Sequence, residues 1–486
     1  MNFPDRRSFL RTGATGLLGA LQVGLHAQIQ PLVTVPPYLA DVDGDGILGV
    51  KDIDLVRQAL FTSRGFGLEP SEGFDYRADV FSAARVDQDA LDAVSRTIDL
   101  LGYGVPVSDP RPITVAWHYG WHDDVNRPIL LQTARYLGGD YISSDATVEE
   151  EFNRLKNEFG ITVDALSWIP PRVRPSLLPN YENGYFSASN SGTRYVALLY
   201  ENMLALPTVG GRNDFRSLEV GPLLVSDFEA MARTLVDVRD RYPSRVFQLS
   251  GRPVIFIFGS HSWGLNEDDE MELLEIVVSV GAAREAFRAV YGAYPYLVGE
   301  DLLPIAATKR PSPGRVHRAM NFDALYSYHA ANFKPNAPAF AINEAYGILQ
   351  QRRLIRAAES IREVRNRFTG RPLLIIPSLA GGFAKHGMPT LSATRRTYAD
   401  YLKLLIRHHA GTYISQEWSG AIGTAVLPAP IYTVGSWNEE FEGHAVFPAQ
   451  FNLTFDVTEY QGFDFVMALK EVFGWNHYSK RVILGS

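Results

Sequence analysis

Ile113-Thr-Val-Ala-Trp117-His118-Tyr119-Gly-Trp121-His-Asp123 is a short apolar, β-branched run that turns aromatic and polar at its end. The same unit recurs along the chain, at Ile161–Trp168, Tyr195–Tyr200, Pro253–Phe258, Tyr296–Val298, Phe322–Tyr326, Leu373–Pro377 and Ile431–Val434. Segments of helical period separate the runs, near 147–159, 226–241, 268–290, 303–320, 342–368 and 391–409, and a last one covers 456–473. Strands that alternate with helices form a parallel sheet joined by crossover helices. Eight of them over residues 113–475 predict an α/β fold, the (β/α)8 TIM barrel. A doubly wound open sheet is the competing arrangement. It is weakened because no Gly-rich phosphate loop follows the first strand.

Barrels carry their chemistry on the loops after the C-terminal ends of the strands. Those ends share a character here: Trp117 to Asp123, Trp168, Tyr200-Glu201-Asn202, Ser260-His261, Glu300-Asp301, Tyr326-Ser-Tyr328-His329, and Trp437-Asn438-Glu439-Glu440-Phe441-Glu442. Aromatic faces pack on the C–H faces of pyranose rings, while carboxylate, His and Asn side chains bond hydroxyls. The candidate substrate-binding residues are therefore Trp117, His118, Tyr119, Trp121, Trp168, Tyr200, Glu201, His261, Tyr328, His329, Trp437 and Asn438. Cleavage of a glycosidic bond also needs two carboxyl groups. Glu439 and Glu442 are the candidate pair: on one helical turn their Cβ atoms would lie ~5–6 Å apart on the same side. Glu-x-x-Glu also occurs on solvated helix faces, so position rather than spacing favours a site.

Trp437-Asn438-Glu439-Glu440-Phe441-Glu442-Gly443, followed by Pro448, resembles the Asn-Glu-Trp-x-Glu-Gly…Pro motif of glycoside hydrolase family 99 and its relatives. Ala116–Trp121 resembles that family's aromatic first strand, and Gly251–Phe258 its fourth strand with the turn leading in. Glu440 and Phe441 depart from the motif, and His118 stands where the family usually has Tyr. The resemblance implies a retaining, endo-acting α-mannosidase or α-mannanase on a (β/α)8 barrel. By position, Glu439 would deprotonate the sugar 2-hydroxyl to give a 1,2-anhydro intermediate. Glu442 would protonate the leaving oxygen and then activate water. Two other readings stay open: a non-catalytic glycan-binding protein, and a relative of the same barrel associated with glycosyl transfer.

Ahead of the barrel, Asp41-Val-Asp43-Gly-Asp45-Gly46-Ile47 runs on to Asp52. Oxygen ligands at positions 1, 3, 5, 7 (Ile47 carbonyl) and 12, with Gly at 6, match a calcium loop. Asp at position 12 with a following helix resembles a type I dockerin repeat, so residues 38–104 are expected to form a small all-α calcium module. Its second repeat, from Asp79, carries Phe81, Ala83, Ala84 and Ala90 at positions 3, 5, 6 and 12 and cannot hold an ion. A cohesin-like partner is what the resemblance implies, and a calcium-stabilised spacer is the alternative. Residues 105–112 read as a stiff linker, and 476–486 as a tail.

Asp5-Arg6-Arg7-Ser8-Phe9-Leu10 before a mild apolar run matches a twin-arginine export signal over residues 1–27. It places the protein in the periplasm, on the cell surface or outside the cell. Composition closes off other chemistries. A net charge of −8 over 486 residues disfavours nucleic-acid binding. The absence of cysteine excludes disulfides, thiolate metal sites and a cysteine nucleophile. No His-Glu-x-x-His occurs, and Gly259-Ser-His-Ser-Trp263 breaks the serine-hydrolase elbow.

Overall fold

The computed structural model describes residues 47–61, 113–123, 141–301, 311–328, 363–379 and 431–438 as continuous stretches. Isolated residues between 88 and 98 and between 350 and 361 are also described, with pieces at 105–106, 134–136, 340–341, 391–392, 449–451, 461–462 and 468–469. The chain divides into a smaller unit within residues 1–106 and a larger one dominated by 107–486.

In the smaller unit, the helix Val50–Gln58 buries Ile53 and Val56. Ile47–Leu48 pairs antiparallel with Val105–Pro106. The module is therefore not purely helical, and the stretch expected as a linker begins inside this two-residue ladder. Pro106 has no N–H to donate, which suits it to so short an edge. Of the expected calcium ligands, Ile47 and Asp52 are described, while Asp41, Asp43 and Asp45 lie outside the described residues, as does the export segment. Asp52 is 1% exposed, and its Oδ2 accepts the Gly49 N–H at 2.8 Å. Asp52 thereby closes a capping box at the start of this helix.

The larger unit is the barrel. Its strands are β1 (Ile113–His118), β2 (Val163–Trp168), β3 (Tyr195–Glu201), β4 (Arg252–Phe258), β5 (Tyr296–Glu300), β6 (Ala324–Tyr326), β7 (Leu374–Ile375) and β8 (Ile431–Ser436). They hydrogen-bond in the order β7-β6-β5-β4-β3-β2-β1-β8, each neighbour parallel. The two ends meet through a parallel bridge between Ser378 and Thr433. There Leu379 N–H donates to the Thr433 carbonyl at 2.6 Å and Thr433 N–H to the Pro377 carbonyl at 3.0 Å. The sheet is closed, which excludes the doubly wound alternative.

Both faces of these strands are buried, with a period of two. Val115, Trp117, Val163, Ala165, Ala197, Leu199, Val254, Phe256, Val298 and Ala324 fill the interior. Leu166, Trp168, Val196, Leu198, Tyr200, Ile255, Ile257 and Leu297 face the helices. The surrounding helices include α1 (Ala146–Glu158), α2 (Leu177–Asn183), α3 (Val220–Arg241), α4 (Glu270–Tyr291) and α5 (Pro313–Ala319). Three of the starts have a local cause: Asp145 caps α1, Asp269 accepts two N–H groups at the start of α4, and Ser312 caps α5 with Pro313 following. α3 and α4 share one apolar seam, Phe228, Met231 and Leu235 against Ile276, Val280 and Phe287. No helix among the described residues is long and apolar enough to cross a membrane.

Some boundaries differ from the sequence expectation. The helix expected over 342–368 has ended by Glu363, and Arg365 pairs with Pro372. The Asn366 side chain accepts the Phe368 and Thr369 N–H groups, folding that stretch into a turn that Gly370 completes at φ 67°. Leu391–Ser392, expected to open a helix, instead pairs parallel with Phe340–Ala341.

Candidate active site at the barrel mouth

Strand parity decides which side chains reach the mouth. Counting by twos from the interior residues brings Tyr119 and Trp121 inward from β1, Ser167 from β2, Glu201 from β3 and Phe258 from β4. The same count brings Glu300 from β5, Tyr328 from β6 and Ser378 from β7.

Rings line this end. Trp117, fully buried, forms the floor, 5.0 Å from the Phe256 ring, 5.2 Å from Tyr326 and stacked at 6.1 Å under Tyr328. Above it the Tyr119 and Trp121 rings stack at 4.3 Å, and Phe258 meets Tyr328 edge-on at 4.8 Å. The Tyr119 and Tyr328 hydroxyls hydrogen-bond to each other. Trp121 is only partly buried, and the Arg174 guanidinium lies 5.5 Å from its ring centre.

Two carboxylates enter the same space. Glu201, almost wholly buried, accepts the Ser167 hydroxyl at 2.8 Å. Glu300 accepts the Gly259 N–H at 2.7 Å and the Tyr328 N–H at 3.3 Å, and His261 Nδ1 lies 3.7 Å from it. Burial pushes the Glu300 carboxyl above the ordinary glutamate value, while His261 and the two N–H groups pull the other way. The Tyr326 phenol is held well above its usual value by burial first, then by Glu300 and Glu201. Tyr326 therefore stays a neutral donor, and its Oη and Trp117 Nε1 make no hydrogen bond among the described residues.

Asn438 closes the rim. Its Oδ1 accepts the Tyr119 N–H at 2.8 Å, and its Nδ2 donates to the Tyr119 carbonyl at 2.9 Å and to Tyr141 Oη at 3.1 Å. His122 Nε2 lies 3.2 Å from its carbonyl oxygen. Asn438 thus clamps the end of β8 to the end of β1.

The sequence candidates fall into three groups. Trp117, Tyr119, Trp121, Glu201, His261 and Tyr328 gather at the mouth or directly beneath it, with Asn438 at its rim. Trp168 and Tyr200 point outward to α3, Trp168 Nε1 donating to Thr234 at 3.3 Å and Tyr200 Oη to Asp227 at 2.6 Å. Trp437 packs against Phe152 of α1 at 5.7 Å, and His118 sits between Lys156 at 3.0 Å and Glu149 at 3.2 Å. These four are sealed between barrel and helices and do not face the opening. His329, Glu439 and Glu442 lie outside the described residues. Glu300 and Phe258 join the mouth although the sequence reading did not select them, and the alternation running through their strands is the signal that finds them.

No family model matches the chain, and no curated protein matches it. Among solved structures it is similar to a glycoside hydrolase-like protein, with a TM-score of 0.49 and 14% identity over 77% of this chain and 97% of that one. It is also similar to the GH99 endo-alpha-mannosidase from Bacteroides thetaiotaomicron, with a TM-score of 0.43 and 15% identity over 76% and 98%. A beta-glycosidase gives a TM-score of 0.41 and 11% identity over 76% and 97%. The fold rests on strand order and closure rather than on these likenesses.

Proposed function

We propose that this chain is an exported glycoside hydrolase that cleaves internal α-linkages of a polysaccharide, a mannan-like chain foremost, with retention of configuration. The observation that carries the reading is the barrel mouth: stacked rings, inward carboxylates, and Asn438 clamped to the rim one residue before Glu439.

In this reading Tyr119, Trp121 and Tyr328 receive the apolar faces of sugar rings, and Glu201 and Glu300 accept sugar hydroxyls. Glu439 takes the proton of the 2-hydroxyl, whose oxygen attacks C1. The C1–O bond to the leaving sugar breaks as Glu442 gives that oxygen its proton. Water then opens the 1,2-anhydro sugar at C1, yielding its proton to Glu442 while Glu439 returns one to O2. Two inversions give net retention. The division of labour needs one acid protonated and one ionised, a state that two neighbouring carboxylates favour.

The smaller unit is read as a structural calcium site held by Asp41, Asp43, Asp45, the Ile47 carbonyl and Asp52. A cohesin-like partner and twin-arginine export remain part of the proposal.

The test is a screen of wild type, Glu439→Gln and Glu442→Gln against α-mannan and α-glucan, reading product size and anomer. Retained-anomer fragments from wild type alone, with all three proteins binding the glycan, support the hydrolase. Binding without fragments from any of the three points to the lectin reading. Transfer from a nucleotide sugar without hydrolysis points to the transferase.

A further inference from the structure

The opposite end of the barrel carries a second concave feature. A cleft of about 600 Å³ opens where β4 and β5 begin, lined by Ser250, Arg252, Arg284, Tyr294, Phe368 and Arg371. Arg252 is the first residue of β4, and Tyr294 precedes β5 by two. The cleft therefore lies on the N-terminal face, away from the mouth.

Its charge is unbalanced. Asp323 lies 2.5 Å from Arg252 and 3.6 Å from Arg284, and the same carboxylate also accepts the Leu297 N–H at 3.0 Å. Even so, Arg252 Nη2 and Arg284 Nη1 are buried and make no well-directed hydrogen bond among the described residues. Glu285, also on the cleft wall, is engaged by Arg288 at 2.9 Å and by Tyr294 Oη at 2.5 Å. Arg371 is exposed, and no carboxylate pairs with it among the described residues. Three guanidinium groups thus share essentially one available counter-charge, in a chain whose net charge is −8.

Rings frame the arginines. Arg284 lies 4.8 Å from the Phe368 ring and 5.7 Å from Tyr294, and Arg252 lies 4.8 Å from Tyr296. Stacking of this kind fixes a guanidinium plane before any ligand arrives. Phe368 and Tyr294 nonetheless keep 37% of their surface exposed. Gly281 of α4 faces the Phe368 ring across this wall, where a Cβ would stand in ordinary contact at 3.5 Å. A planar fork of donors suits carboxylates, and partly exposed aromatic rings suit sugars.

We propose that this cleft is a second carbohydrate-binding site, taking an acidic oligosaccharide whose carboxylate is held by Arg252, Arg284 and Arg371 and whose ring lies on Phe368 and Tyr294. The proposal stands on the cleft alone and does not depend on the chemistry of the mouth. It would keep a uronate-bearing chain attached to the barrel while the other end stays free.

The experiment is calorimetric titration of the full chain with trigalacturonate, mannotriose and sodium sulfate. Wild type should bind trigalacturonate, and Arg371→Glu and Phe368→Ala should each weaken it by about tenfold, equivalent to ~1.4 kcal/mol. Trp121→Ala, at the mouth, should leave this binding unchanged. Thermal unfolding checks that the variants are folded, and Arg371→Gln replaces Arg371→Glu if the reversed charge unfolds the chain. Four results overturn the proposal: no trigalacturonate binding, equal affinity for mannotriose, sulfate bound while trigalacturonate is not, or loss of binding in Trp121→Ala alone.

Discussion

Asp164 shows how much one side chain can carry in the layer between strands and helices. Burial alone would raise its carboxyl, yet Arg194 and Lys156 outweigh burial and hold it well below the usual carboxylate range. Arg194 Nε reaches it at 2.9 Å, Lys156 Nζ at 3.1 Å, and Tyr185 Oη donates to it at 2.7 Å. A carboxylate depressed in the fold contributes stability above the unfolded value, and that stability is lost as pH falls toward the folded one. Asp164→Asn leaves two buried cations without their counter-charge, which typically costs ~3–5 kcal/mol. The urea midpoint at pH 7 should fall accordingly, with the difference from wild type shrinking in acid; a midpoint within experimental error of wild type would refute the role. Sequence shows that Lys156 lies on a helix and Asp164 on a strand, but nothing in their spacing says that they touch.

Glu300 has the opposite sign. Its carboxyl is raised by burial, so ionising it costs stability, and that cost enters as pH climbs past the ordinary glutamate value. If the ionised form is what accepts a sugar hydroxyl, kcat/KM should rise along an acid limb placed above that of a free glutamate. Glu300→Gln should remove the limb and lower kcat/KM by roughly 10–100-fold, the range of a charged hydrogen bond worth ~1.5–3 kcal/mol. An unchanged pH profile in this variant would separate Glu300 from substrate binding.

Among elements, the strands were far more legible than the loops. All eight appear where apolar β-branched runs stand, because a strand buried on both faces needs such a run and little else. The ends of β2 and β3 misled for a related reason. Trp168 ends β2 and Tyr200 stands one residue before the end of β3, but parity turns both rings toward α3, whereas Glu201, the last residue of β3, turns inward. Helix α2 went unread because Leu177–Asn183 is too short to show a period.

In the smaller unit, the helix Val50–Gln58 fixes Asp52 at its N-terminal turn, with the carboxylate directed at Gly49. If that carboxylate closes a calcium site, titrating the full chain with calcium should raise one unfolding transition and leave the barrel's in place. At a hundredfold excess over Kd the gain is ~2.7 kcal/mol. Asp45→Asn should abolish the shift, and a chelator should reverse it. A calcium-independent melt would remove the ion from this account.

For the molecule as a whole, closure is the step that turns eight strands into a site. Alternation of strand and helix announces a parallel sheet, but whether the sheet curls shut depends on contacts between residues 55 apart. Here one hydroxyl bears much of that contact. Ser378 Oγ accepts the Thr433 hydroxyl at 2.9 Å and the Ser327 N–H at 3.2 Å, and donates to the Ser327 carbonyl. It thereby ties the chain just beyond β6 and β7 to β8. Thr433 precedes Asn438 by five residues, so the closing seam and the rim clamp belong to one short stretch of chain. Ser378→Ala removes an acceptor for two buried donors, which typically costs ~1–3 kcal/mol. The expected outcome is a lower unfolding midpoint together with faster amide exchange at Thr433 and Leu379, the N–H groups of the closing bridge. Exchange elsewhere, at the α3–α4 seam for example, should change only as far as global stability does. Uniform acceleration over the whole barrel would mean that closure is not the weak point and that the eight strands open as one.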